Sequence, residues 1–500
     1  QENAPAITLF ENVYDSLGRL SACVYHGVSS APVTYSYNIR GWLTGIRHPL
    51  FSQMLYYTDG PGRACYNGNI SSMSWKSGNE AVERGYKFMY DGLSRLSDAL
   101  YGEGPKLSVN INRFNEQVTG YDKMGNILGL KRYGQTSATG YDVIDDLSLS
   151  YAGNRLKKVA DRSGTSAFNN GFEFKDGVDL STEYEYDENG NLTKDLNKNK
   201  TAIQYNCLNL PSRVMFANGN SISYLYDAAG RKLRTVHVLE GDSVTTDYCG
   251  NVVYENGVPQ ILLTEVGYVS LTDGKYHYYL KDHQGNNRVV VAEEGTIEEV
   301  NHYYPFGGVF SSTGDAQPYK YNGKELDRKG GLDWYDYGAR MYDAVLGRWH
   351  AVDPMSEKYY GVSPYLYCAN NPILLVDPNG MWPTWRGIRN GLNNALNTTL
   401  SFTNGAVRAV TDNILLGSTS LRETGIYSSA GAYNVGQDVG DVISLFIGGA
   451  EVIRGSGEVA AGLLGSPETG GVSLAVSTKG VVDVTHGSLM ATSGAMKLFS

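Results

Sequence analysis

Tyr184-Glu-Tyr-Asp-Glu-Asn-Gly-Asn-Leu192, Tyr205-Asn-Cys-Leu-Asn-Leu210 and Tyr224-Leu-Tyr-Asp-Ala-Ala-Gly-Arg-Lys-Leu233 follow one another along the chain. Their key tyrosines, Tyr186, Tyr205 and Tyr226, are spaced by 19 and 21 residues. Further copies are Tyr14-Asp-Ser-Leu-Gly-Arg-Leu20 and Tyr121-Asp-Lys-Met-Gly-Asn-Ile127. Tyr90-Asp-Gly-Leu-Ser-Arg-Leu96 carries Ser at the second turn position, Tyr151-Ala-Gly-Asn-Arg-Leu156 is shortened, and Tyr342-Asp-Ala-Val-Leu-Gly-Arg-Trp349 is longer by a residue. Tyr-x-Tyr alternates as a strand does and puts both rings on one face. Asp then bonds to backbone amides two residues on, and Gly accepts the positive φ that closes a hairpin. Each unit is about one β-hairpin. A lone hairpin is marginal in water, so the units must stack.

The fold class read from this pattern is mainly β. A long antiparallel sheet of hairpins, from about residue 5 to 300, is expected to curl around a cavity without a conventional central core. Tyr is 38 against Phe 13, and Gly is 60 of 500. Half-buried rings with wet hydroxyls on repeated strands would give that bias. The repeated Tyr and Asp residues read as scaffold rather than as a binding site.

The net charge of −10 argues against a nucleic-acid binder and against docking on anionic lipid. The five cysteines (Cys23, Cys65, Cys207, Cys249, Cys368) are scattered without CxxC spacing and read as isolated buried thiols. No metal-ligand spacing occurs among the eight histidines, and neither metal nor cofactor is expected. No apolar run reaches the length of a membrane-spanning helix. Gln1 with no leader after it reads as the start of a processed chain or a fragment.

From Tyr276 the sequence becomes more specific. Tyr276-His-Tyr-Tyr-Leu-Lys-Asp-His-Gln-Gly-Asn286, Tyr303-Tyr-Pro-Phe-Gly307, Tyr321-Asn-Gly-Lys-Glu325, Leu332-Asp-Trp-Tyr-Asp-Tyr-Gly-Ala-Arg340, Gly347-Arg-Trp349 and Asp353-Pro354 precede Ser363-Pro-Tyr-Leu-Tyr-Cys-Ala-Asn-Asn-Pro372 and Val376-Asp-Pro-Asn-Gly-Met381. This run resembles the RHS repeat-associated core, and with the repeats before it the chain resembles RHS/YD-repeat proteins of polymorphic toxin systems. The resemblance implies a hollow β-shell over residues 1–300, a core that plugs it over 301–380, and a variable pre-toxin-like segment over 381–500. It implies an encapsulation and delivery scaffold of a secreted or surface bacterial toxin. Its partners would be its own C-terminal segment or toxin, an immunity protein and a secretion apparatus. The alternative is a cell-surface YD-repeat binding module for carbohydrate or a partner protein. Exposed rows of rings would favour the module, and buried rings the scaffold.

Some members of that family cut themselves just after the DPxG motif with core aspartates. The resemblance makes Asp377 and Asp353 the candidate catalytic pair, Arg348 an orienting cation, and the bond between Met381 and Trp382 the scissile one. Two carboxylates held close cannot both ionise easily, which supplies an acid beside a base. The first Asp-Pro continues as Met355-Ser356, where the self-cleaving pattern has x-Gly, and Asp-Pro-Asn-Gly is also an ordinary turn.

After Gly380 tyrosines become rare. Leu392, Leu396, Leu400, Val407, Val410 and Ile414 have roughly helical spacing, and Val439, Val442, Ile443, Phe446, Ala450 and Ile453 have it more clearly, so a small α-helical segment is expected before a Gly/Ser/Thr-rich tail. A pre-toxin connector, a small toxin, a membrane-active helix and a degenerate tail all fit. Asp441, Glu451 and Arg454 make insertion into lipid costly. Asp483 and His486 in the tail read as solvated, and no toxin catalytic constellation is visible.

Overall fold

In the computed structural model, the described residues are 7–27 and 31–381, together with the backbone of a hairpin pairing Ala460–Leu463 with Leu474–Ser477. The helical spacings at 392–414 and 439–453, and Asp483 and His486, lie outside the described residues. Within 7–381 the chain is antiparallel sheet joined by turns, with only short 3-10 turns among the described residues.

Each repeat folds as its chemistry dictates. Asp15 Oδ1 accepts the amides of Leu17 and Arg19, both at 2.9 Å, while Oδ2 takes Arg19 Nε at 2.7 Å. Asp91, Asp122, Asn206, Asp227 and Asp282 repeat the two-amide grip at residues two and four further on. At Ser94, which stands where the Asp-x-x-Gly copies have the turn Gly, the chain still adopts the left-handed conformation, with φ +61. The register shifts just before the repeat tyrosine, so that Tyr14 faces Leu20, Tyr90 faces Leu96 and Tyr226 faces Lys232. A bulge at each hairpin end increases the local twist, which curls the stack.

Five of these tyrosine hydroxyls are bonded to protein and are not wet. Tyr37, Tyr90, Tyr121, Tyr151 and Tyr205 donate to the carbonyls of Leu20, Ile70, Leu96, Ile127 and Leu192, each beyond the turn of the preceding unit, at 2.5–2.8 Å. The phenol therefore staples one hairpin to the one before. Each such bond contributes about 1 kcal/mol, and a deserted carbonyl would cost more.

Strands pair in chain order, but not in the single sheet expected over about residues 5–300. A twelve-stranded sheet runs from Phe10–Tyr14 to Arg155–Asp161, and a fourteen-stranded sheet from Tyr184–Tyr186 to Val309–Thr313. The intervening residues 162–183 carry no tyrosine with which to continue the ladder. Strand Ile297–Tyr303 crosses residue 300, and the second sheet continues beyond it. The expectation of no central core is also corrected. Apolar side chains of both sheets form one cluster with a four-stranded sheet made by Glu325–Asp327, Trp334–Asp336, Met341–Asp343 and Arg348–Trp349.

That four-stranded region and the turns after it are pinned to the repeat turns. Asn371 Nδ2 donates to Ser94 O, Asn370 Nδ2 to Gly125 O, and the Tyr365 hydroxyl to Gly190 O, at 2.7–2.8 Å. Arg132 is fully buried and donates to Glu116 at 2.7 Å, Asp145 at 3.0 Å and the Ala344 carbonyl at 3.1 Å. All five cysteines are free. Cys23 and Cys368 are buried as expected, whereas Cys207, in a turn, and Cys249, at the end of strand Asp242–Cys249, are exposed.

Candidate functional site

Asp377 sits in the turn that ends the described part of this region. Its Oδ1 accepts three backbone amides, from Asn379 at 3.2 Å, Gly380 at 2.7 Å and Met381 at 3.1 Å. Only Gly fits at 380. Its φ is +77, and a Cβ there would stand 2.9 Å from the Arg340 nitrogen. Asp353 opens the other Asp-Pro turn, and its Oδ1 accepts the Met355 amide at 2.8 Å. In both turns one carboxylate oxygen is spent on backbone and the other is left free to point inward.

Both inward oxygens meet the same nitrogen. Arg340 Nη2 lies 2.6 Å from Asp353 Oδ2 and 3.2 Å from Asp377 Oδ2. The two oxygens are therefore no further apart than those distances laid end to end, which is close enough for each charge to act on the other. Arg340 Nε donates to the Gly380 carbonyl at 2.5 Å and Nη1 to the Pro364 carbonyl at 3.1 Å. The guanidinium lies over the Trp349 ring at 4.1 Å. All three charged groups are 2% exposed or less.

Two carboxylates against one guanidinium would leave a net negative charge in a buried site. Burial, the largest influence, pushes the Asp353 carboxyl above its ordinary range, and Asp377 adds to this. Arg340, the Tyr359 hydroxyl and the Met355 amide pull it back without overcoming burial. Burial also lowers Arg340, against the pull of both aspartates. Burial thus favours a proton on Asp353.

Arg348 is not the cation of this site. Its Nη2 donates to the Asn154 carbonyl at 2.9 Å, and its guanidinium lies over the rings of Tyr151 and Tyr365. The reason is strand alternation. In Arg348–Trp349 neighbouring side chains point to opposite faces, and it is Trp349 that faces the aspartates' arginine. Arg340 and Tyr359 are the members that the motif reading passed over. The signal for Arg340 was present, since it closes the Leu332-to-Arg340 motif and a buried carboxylate pair needs a cation. Met381 is described, and Trp382 lies outside the described residues. The repeat tyrosines form no exposed row, since Tyr37, Tyr90, Tyr121, Tyr151, Tyr186, Tyr205 and Tyr226 all pack against the core.

No protein-family model matches the chain. It is 30% identical over 223 residues to salivary gland surface protein 1 of Aedes aegypti, covering 39% of this chain and 6% of that protein. It is 29% identical over 219 residues to toxin subunit YenC1 of Yersinia entomophaga, covering 42% of this chain and 20% of that one. Among solved structures it is similar to the crystal structure of TcdB2-TccC3, with a TM-score of 0.52 and 16% identity over 74% of this chain and 21% of that one. The last is a likeness of fold. The chain spans only a fifth or less of the length of the two relatives.

Proposed function

We propose that this chain is a scaffold of a secreted RHS-type toxin, in which the repeats of residues 1–300 form the shell, residues 301–380 the plug, and residues 381–500 the segment that the shell holds. Buried tyrosines with bonded hydroxyls support a structural use of the repeats over a ligand-binding one. The likeness to a toxin subunit and the fold likeness to TcdB2-TccC3 support the toxin class.

We further propose that the plug cuts the chain between Met381 and Trp382. The observation that carries this reading is the convergence of Asp353 and Asp377 on Arg340, beside the residue that bears the bond. In the proposed step, water adds to the Met381 carbonyl carbon while one carboxylate takes its proton. The protonated partner, Asp353, gives a proton to the Trp382 nitrogen as the C–N bond breaks. Positioned acid–base pairs of this kind contribute about 10²- to 10⁴-fold. Arg340 holds the preceding Gly380 carbonyl, and Asp377 Oδ1 holds the Met381 amide, so the bond is presented by the same residues that would cut it.

Mass spectrometry of the purified full chain tests this. Two fragments meeting at 381/382 in the wild type, and an intact chain in Asp377→Asn with unchanged circular dichroism, are expected. An intact wild-type chain at every pH would leave Asp377 as a turn residue.

A further inference from the structure

A groove of about 440 Å³ opens where the described chain stops. Leu208, Leu210, Tyr226, Ala229, Ala339 and Pro354 line it, and Met381 stands on its rim. It is mostly apolar. Lys232, which also lines it, is neutralised by Asp336 and Glu325, each at 2.7 Å.

Two features set this groove apart from the surface over the other repeat turns. The residue two beyond the turn Asp or Asn is Leu17, Leu93, Met124, Asn189 and Leu208 in sibling repeats, but the smaller Ala229 here. The smaller side chain leaves room at this turn. The second feature is Tyr226. Its counterparts donate to a carbonyl of the unit before, whereas its hydroxyl is buried with no partner among the described residues. A buried hydroxyl left unpaired is destabilising, so it calls for an acceptor from outside the repeat ladder.

We infer that the groove is the seat of Trp382, the residue on the far side of the proposed cut, with the Tyr226 hydroxyl donating to a backbone carbonyl of the entering chain. The occupant follows from continuity, because the next residue after a rim residue of the groove is a tryptophan. Pro383 then favours an extended Trp382, as a chain laid along a groove requires. An indole has the apolar area to match the lining. Seating it fixes the bond between Met381 and Trp382 against the aspartates from the leaving-group side. This inference rests on the self-cleavage reading for its consequence, but not for the docking itself.

The test has two arms. In the wild-type chain, Trp382→Ala, and Ala229→Trp to fill the groove, should each slow cleavage by about tenfold or more, while Trp382→Phe stays near the parent rate. Cleavage at the parent rate in Ala229→Trp overturns the inference and leaves the self-cleavage reading standing. In the uncleavable Asp377→Asn full chain, hydrogen exchange of residues 226–232 should speed up on adding Trp382→Ala. Unchanged exchange there overturns the docking, whatever the wild-type chain does.

Discussion

The Trp75 indole N–H donates to Nδ1 of His302 at 3.0 Å and so ties strand Ser72–Ser77 of the first sheet to strand Ile297–Tyr303 of the second. Since Nδ1 accepts, the imidazole proton is on Nε2, which faces Glu80 at 3.3 Å. A second proton would have to displace the indole. Burial pulls the His302 pKa from 6.5 down to about 4, with Glu80 opposing. The folded state therefore prefers neutral His302. Its stability contribution is full above the unfolded value and is lost as pH falls through about 4. The shift corresponds to roughly 3 kcal/mol. Urea unfolding at about pH 7 and about pH 4.5 should show a larger acid loss for the wild type than for His302→Gln, which keeps an acceptor for Trp75. Equal losses in the two proteins would remove His302 from the account.

The phenol ladder makes a paired prediction. Tyr205→Phe leaves the Leu192 carbonyl without its 2.7 Å donor and should cost about 1–2 kcal/mol in denaturant unfolding. Tyr14→Phe removes an exposed repeat hydroxyl and should cost under about 0.5 kcal/mol. If the two variants lose the same stability, the hydroxyls are not what joins the hairpins.

These two cases mark how far the sequence could be read. Asp-x-x-Gly chemistry is local, so the hairpins and their chain order were legible from Tyr14 to Tyr226. The phenol bonds were not, because a hydroxyl's acceptor lies on the preceding unit and appears only once the units are stacked. The break at residues 162–183 was marked only by missing tyrosines. At the candidate site, motif position found Asp353 and Asp377. It took Arg348 for their cation because a motif does not say which face of a strand its residue occupies. Arg340 closes the Leu332-to-Arg340 motif, but its convergence with both aspartates shows only when the Asp-Pro turns and the Met341–Asp343 strand are brought together.

Gly380→Ala should weaken the junction. The backbone φ of +77 disfavours any side chain, and the new Cβ would press on the Arg340 nitrogen at 2.9 Å and Tyr337 Cβ at 3.2 Å. A cost of about 1–3 kcal/mol is expected, with slower cleavage as Gly380 is pushed off Arg340. Gly361→Ala is the control, because a Cβ there meets nothing within 4 Å. Thermal melts that cannot distinguish the two variants would show that the junction is more pliable than its packing implies.

Arg340→Met is the most informative change, because its effect should depend on pH while that of Arg348→Met should not. Removing Arg340 leaves two buried carboxylates facing each other without their counter-charge, which costs about 3–5 kcal/mol. The pair can escape part of that cost by binding a proton. Asp353, which burial already pushes up beside Arg340, then titrates further above its unfolded value, so the folded state is favoured below that value and loses ground as pH rises. The deficit of Arg340→Met against wild type should therefore be larger near about pH 7 than near about pH 5. Adding Asp353→Asn removes one charge and should recover part of the loss at the higher pH. Arg348→Met takes away only the Asn154 carbonyl bond and the contacts with the Tyr151 and Tyr365 rings, none of which titrates in that range. Its deficit should be flat with pH, and its cleavage at 381/382 retained. A flat deficit for Arg340→Met, or no recovery in the double variant, would mean that the two aspartates do not share Arg340 in solution.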